Sequence, residues 1–184
     1  MNESDKKALL ILARDSISIF FIDKELEVSD EIKEKFSDKQ GVFVTLNKNN
    51  ELRGCIGFPE PVEKLYKAII EAARSAAFHD PRFPAVVEDE LKEIKIEMSV
   101  LTKPEMIEVE KPEEYLDKIK IGKDGLIIRS DYGSGLLLPQ VFTEYNCDVE
   151  KALEMTCQKA GLDVDEWKNI DVKIYKFQAD IFSE

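Results

Sequence analysis

The grouping best suited to chemistry in this chain is Leu52-Arg53-Gly54-Cys55-Ile56-Gly57, in which a guanidinium and two glycines surround a thiol. The thiolate is the form that attacks electrophiles and binds metals, and nearby positive charge favours it. Glycine admits a ligand or a second backbone where a Cβ would collide. On a regular strand the period of two puts Arg53, Cys55 and Gly57 on one face and Leu52, Gly54 and Ile56 on the other. Cys55 is thus a candidate nucleophile or ligand contact, with Arg53 as anion clamp and thiolate stabiliser and Gly54 and Gly57 as points of close approach. The competing reading makes Cys55 a small packing residue and the glycines purely architectural.

Two further stretches add candidates. In His79-Asp80-Pro81-Arg82-Phe83-Pro84 the prolines stiffen the loop, Asp80 can accept from nearby backbone N–H groups, and Arg82 projects between restrained neighbours. Arg82 is either a ligand contact or simply the ion-pair partner of Asp80. Gln140, after the apolar run Gly135–Leu138, offers both a donor and an acceptor to a pocket, or else caps a strand end. His79 reads as a helix-end residue that satisfies the last carbonyls. Ser134 does not read as a nucleophile, because Tyr132 stands where the elbow G-x-S-x-G needs its first glycine. With one histidine and three unpaired-looking cysteines, Cys55, Cys147 and Cys157, no metal site is expected, and the sequence specifies no cofactor.

Together, Leu52–Gly57, Ser75–Pro84 and Gly135–Val141 resemble, in the right order and over nearly the whole chain, the AMMECR family, proteins named after the Alport syndrome, midface hypoplasia and elliptocytosis chromosomal region. The resemblance implies an α+β fold of two unequal lobes with a binding or catalytic site at the hexapeptide. It implies no particular reaction.

The elements that must position these residues follow from periodicity. Val42, Val44 and Leu46 alternate with Phe43 and Thr45, and a four-residue tip, Asn47–Asn50, leads into the hexapeptide strand as a hairpin. A helix is expected over 61–78, opened by Pro61 and buried through Val62, Leu65, Ile69, Ala72 or Ala73 and Ala76, so that its N-terminus directly follows the hexapeptide and resembles a weak anion site. A second helix, over 4–22, is capped by Ser4 and turns Ala8, Leu9, Leu12, Ser16, Ile19 and Phe20 inward. Residues 23–40 form a charged loop with a short turn around Ile32 and Phe36. Strands follow at 94–100, in a hairpin around Asp131–Ser134, and over 172–181, where a change of apolar phase at Ile174 and Tyr175 suggests a bulge. A short helix is expected at 113–119 and a longer one at 148–161, capped by Asp148, with Trp167 sealing the core. One domain spanning 1–184 results: a largely antiparallel sheet flanked by the helices over 4–22, 61–78 and 148–161.

Composition restricts the function. Acidic residues outnumber basic ones by 38 to 26, giving a net charge of −12, which argues against gripping phosphate backbones and hence against nucleic acid. No span reads as membrane-crossing or as a cleavable leader, so the expected location is cytoplasmic, with reduced thiols. Two readings remain: an enzyme or binding protein for a small molecule, and a regulatory module that binds a protein partner while the hexapeptide serves only as scaffold.

Overall fold

The computed structural model describes residues 1–22 and 24–184; Asp23, where the expected 23–40 loop begins, lies outside the described residues. In chain order the elements are α1 (Glu3–Ser18), α2 (Asp30–Lys35), β1 (Val42–Lys48), β2 (Glu51–Phe58), α3 (Leu65–Phe78), β3 (Ile94–Leu101), β4 (Glu105–Met106), α4 (Tyr115–Lys118), β5 (Gly125–Arg129), β6 (Ser134–Leu137), α5 (Pro139–Glu144), α6 (Val149–Lys159), β7 (Lys173–Phe177) and β8 (Ala179–Ser183). The class is α+β, as expected, but the strands form two four-stranded sheets rather than one, in the orders β2-β1-β3-β8 and β4-β7-β5-β6. They belong to two compact units, Met1–Leu101 with Asp180–Glu184, and Thr102–Ala179.

In the first unit α1 and α3 pack on one face of the sheet. Val42, Val44, Leu46, Ile96 and Met98 are fully buried from the strand side and Ile69, Ala72 and Ala73 from α3. The alanines of α3 let it lie close to β1 and β2. Asn2, not Ser4, caps α1, its side chain accepting from the Asp5 N–H at 2.9 Å. Leu9, Leu10, Leu12, Ala13, Ser16 and Ile17 form its buried stripe. Phe20, expected inside, is 64% exposed in the 3₁₀ turn that ends the helix.

The hexapeptide hairpin differs from expectation in two ways. Its loop has two residues, Asn49 and Asn50, at φ 55° and 64°, the left-handed pair that suits the twist of a tight hairpin. A register shift between Leu46 and Asn47 then leaves Arg53 without an opposite residue, because Asn47 pairs with Leu52 and Leu46 with Gly54. This bulge carries Leu52 off the Gly54 and Ile56 face and leaves it 44% exposed.

The helix expected over 61–78 begins at Leu65, and Val62 is 66% exposed. The anion site expected at its start is filled from within: the Leu65 N–H donates to the Asp38 carbonyl at 2.9 Å and the Tyr66 N–H to that of Phe36 at 3.3 Å.

The second unit packs α6 on β5 and β6 around Leu153, Cys157, Leu126, Ile128 and Trp167. Asp148 caps α6, accepting from the Lys151 N–H at 2.8 Å. The expected strand over 172–181 is two strands in different sheets, β7 and β8, separated by Gln178. β7 pairs with β5 in unbroken register across Ile174 and Tyr175, so no bulge lies at the phase change, and the chain changes sheet three residues later, at Gln178. Among the described residues no helix is long and apolar enough to cross a membrane.

Candidate functional site

β2 is an edge strand, so half of its backbone groups lack a partner strand. At Cys55 a side-chain pair takes the partner's place. The buried Asp80 carboxylate accepts from the Cys55 N–H at 2.9 Å, and Arg82 Nη2 donates to the Cys55 carbonyl at 3.1 Å. Arg82 also binds Asp80 in bidentate fashion, Nε to Oδ1 at 3.0 Å and Nη2 to Oδ2 at 2.7 Å, while the Arg82 N–H donates to Oδ1 at 3.1 Å. The Asp80 side chain is 1% exposed and that of Arg82 is 54% exposed. Asp80 and Arg82 thus imitate one residue of a neighbouring strand and close the edge, with the outer part of the guanidinium in solvent.

Arg82 beside Asp80 holds that carboxyl well below the usual carboxylate range, with the backbone N–H groups of Cys55 and Arg82 adding to the effect. Reciprocally, Asp80 raises the guanidinium, and the Cys55 thiol contributes in the same direction.

Arg53 is positioned otherwise. Its Nε donates to Glu90 Oε1 at 3.1 Å, Nη2 to Glu90 Oε2 at 2.9 Å and Nη1 to the Pro84 carbonyl at 2.9 Å, and its side chain is 12% exposed. Glu90 is pushed down to about 2 by that hydrogen bond first, and also by the Val87 N–H and Lys48. The guanidinium of Arg53 is therefore occupied in tying the 84–90 segment to the hairpin, and the guanidinium hydrogen-bonded to Cys55, at its carbonyl, is that of Arg82.

Cys55 is half-buried. Its register partner Thr45, which sequence reasoning did not single out, donates its hydroxyl to Cys55 Sγ at 3.3 Å. Glu97 stands opposite Thr45 on β3, so a thiol, a hydroxyl and a carboxylate form a row across three strands. At the usual strand spacing Glu97 is roughly 10 Å from Cys55, too far to take its proton directly. The Arg53 bulge creates this row. An unbroken register from the Asn49-Asn50 turn would set Cys55 opposite Val44, on the buried face.

The two glycines meet internal obstacles. A Cβ at Gly54 would lie 2.2 Å from the Ala76 carbonyl oxygen of α3, and one at Gly57 would lie 2.4 Å from both the Phe43 ring and the Val42 carbonyl oxygen. Gly54 permits the close seating of β2 on α3, and Gly57 makes room for the ring of its cross-strand partner.

Gln140 is the second residue of α5, in the other unit, its Oε1 buried and without a hydrogen-bond partner among the described residues. His79 caps α3 by donating its N–H to the Ser75 carbonyl at 2.9 Å. All three cysteines are free, and burial pushes the Cys157 thiol up to about 11. Among the described residues no group of three or more His, Cys, Asp or Glu side chains is disposed to hold a metal ion.

A model of the AMMECR1 family matches residues 10–182. A protein of Methanothermobacter thermautotrophicus is 52% identical over 161 residues, covering 88% of this chain and 84% of that protein. One of Methanocaldococcus jannaschii is 51% identical over 174 residues, covering 94% and 86%. The crystal structure of an uncharacterized protein from Pyrococcus horikoshii matches with a TM-score of 0.92 and 46% identity, covering 100% of this chain and 93% of that one. Family model, sequence and fold concur: the chain belongs to the AMMECR1 family.

Proposed function

We propose that the chain carries a small-molecule site, for binding or catalysis, on the outer face of β2, with Cys55 as ligand contact or nucleophile and Arg82 as the cation beside it. Asp80 holds Arg82 in place, Arg53 ties the 84–90 segment to the hairpin, Gly54 seats β2 on α3, and Gly57 stands two residues from Cys55 on the same strand; Gln140, the remaining sequence candidate, belongs to the other unit. The observation that carries this reading is the half-buried thiol, which receives the Thr45 hydroxyl at 3.3 Å while Arg82 is held against the carbonyl of the same residue. The exposed part of the Arg82 guanidinium suits a carboxylate or phosphate on the ligand.

A second reading, the protein-interaction module with an architectural hexapeptide, is favoured by the internal engagement of Arg53 with Glu90, of Asp80 with Arg82, and of both glycines with backbone. The two separate in a screen of small carboxylates and phosphates by amide chemical-shift mapping. The site reading expects saturable shifts at Thr45, Cys55 and Arg82 that vanish in Arg82→Gln. If no compound perturbs these amides, and Cys55→Ala loses stability without losing any interaction, the hexapeptide is architecture.

A further inference from the structure

Phe20 and Ile22 are 64% and 54% exposed at the end of α1, and Phe20 belongs to an aromatic cluster. The Phe20 ring stacks on Phe78 with centroids 4.3 Å apart, and Phe21 meets the two edge-on at 5.7 and 5.8 Å. Aromatic side chains fixed in advance lose little freedom on contact, and contiguous exposed apolar surface marks a place where something docks. Phe78 is the last residue of α3, whose outward stripe runs back through Arg74 and Ile70 at four-residue spacing. Two shallow clefts, of about 390 and 430 Å³, share Ile70 and Arg74; one extends to Lys67 and His79 and the other to Lys24, Leu26 and Val28. The charged residues lining them are Lys24, Lys67 and Arg74 against Glu25 and Glu71. Cations predominate here although the whole chain carries −12. Arg74 is anchored by its Nε, which donates to the Ser16 carbonyl at 3.1 Å.

We infer that this face receives a segment of another protein: an apolar anchor seated on the Phe20–Phe78 platform, flanked by carboxylates that meet Arg74 and Lys67. Charge complementarity selects this occupant. A second copy of the chain would bring the same three cations and two carboxylates to the same place, an excess of like charge that an acidic segment does not carry. A nucleic-acid strand needs a longer run of cations than three and meets a strongly anionic molecule. This surface is independent of Cys55, so it stands or falls apart from the site proposed above.

The test is selection of random dodecapeptides displayed on phage against the full chain, followed by affinity measurement on synthetic peptides. The inference expects selected sequences with Leu or Phe beside Asp or Glu, binding that weakens with salt, and a loss of at least about tenfold in Phe20→Ser and, separately, in Arg74→Glu. Lys67→Glu is a second charge variant, on an exposed position, should Arg74→Glu unfold the helix. Peptides that bind all variants equally, or carry no acidic preference, overturn it. So does Phe20-dependent binding of oligothymidylate or of phosphatidylserine vesicles in place of peptide, and so does a dimer that Phe20→Ser dissociates.

Discussion

An added methyl at Gly54 points into the Ala76 carbonyl oxygen at 2.2 Å, and neither the strand nor the helix can yield without moving its neighbours. Gly54→Ala should therefore cost about 2 kcal/mol, read as a lower urea midpoint at unchanged slope; a midpoint equal to wild type would show that β2 and α3 are not so closely seated. The thiols should sort by environment. Cys157 is fully buried and its thiol is raised to about 11, while Cys55 and Cys147 are half-buried. Titration with Ellman's reagent should find at most two reactive thiols in the folded chain and the third only after denaturation. Three thiols reacting together under native conditions would contradict the burial of Cys157.

The β1–β2 hairpin shows what an element can hide from its sequence. Alternation at Val42, Val44 and Leu46 revealed the strand, and the alanine-rich stripe of α3 revealed the helix, because both patterns come from burial on one face. The bulge at Arg53 left no such mark. It arises from the balance between a two-residue turn and the packing of Gly54 on α3, and it moves the thiol from the core side to the outer side. The importance of Thr45 was illegible for the same reason, since its pairing with Cys55 exists only after the shift. Glu90 was missed because its partner Arg53 is distant in sequence. Pro61 suggested a helix start, yet Leu65 is the first helical residue because the Asp38 and Phe36 carbonyls receive the first N–H groups there. The turn itself is testable. Asn50 sits at φ 64°, where a β-branched residue is strained, so Asn50→Val should cost about 1–2 kcal/mol and Asn50→Gly should be neutral or stabilising. A thermal midpoint unchanged by the valine would rule out the left-handed turn.

For the molecule as a whole, the two carboxylates held by guanidinium groups should make stability fall in acid. Asp80 and Glu90 have ordinary values of 3.8 and 4.5, and both are depressed in the fold, Glu90 to about 2 and Asp80 further. The unfolded chain binds their protons first on acidification. Their stabilisation is thus complete above about pH 4.5 and is lost progressively as pH falls toward 2 and below. The thermal midpoint should decline over that range, and Glu90→Gln, which removes one of the two titrations, should make the decline shallower while lowering stability near neutrality by on the order of 2 kcal/mol. An equally steep decline in that variant would assign the acid sensitivity to other groups among the 38 acidic residues.

The claim on which the functional reading rests is that the Cys55 sulfur is open to reagents and lies under the influence of Arg82. Its most direct measure is the rate of Cys55 alkylation by iodoacetamide near neutral pH, in a Cys147→Ser background, with and without Arg82→Gln. The expected result is a rate at least equal to that of a free model thiol, falling several-fold when the guanidinium is removed. A rate far below the model thiol, or one that ignores Arg82, would contradict it.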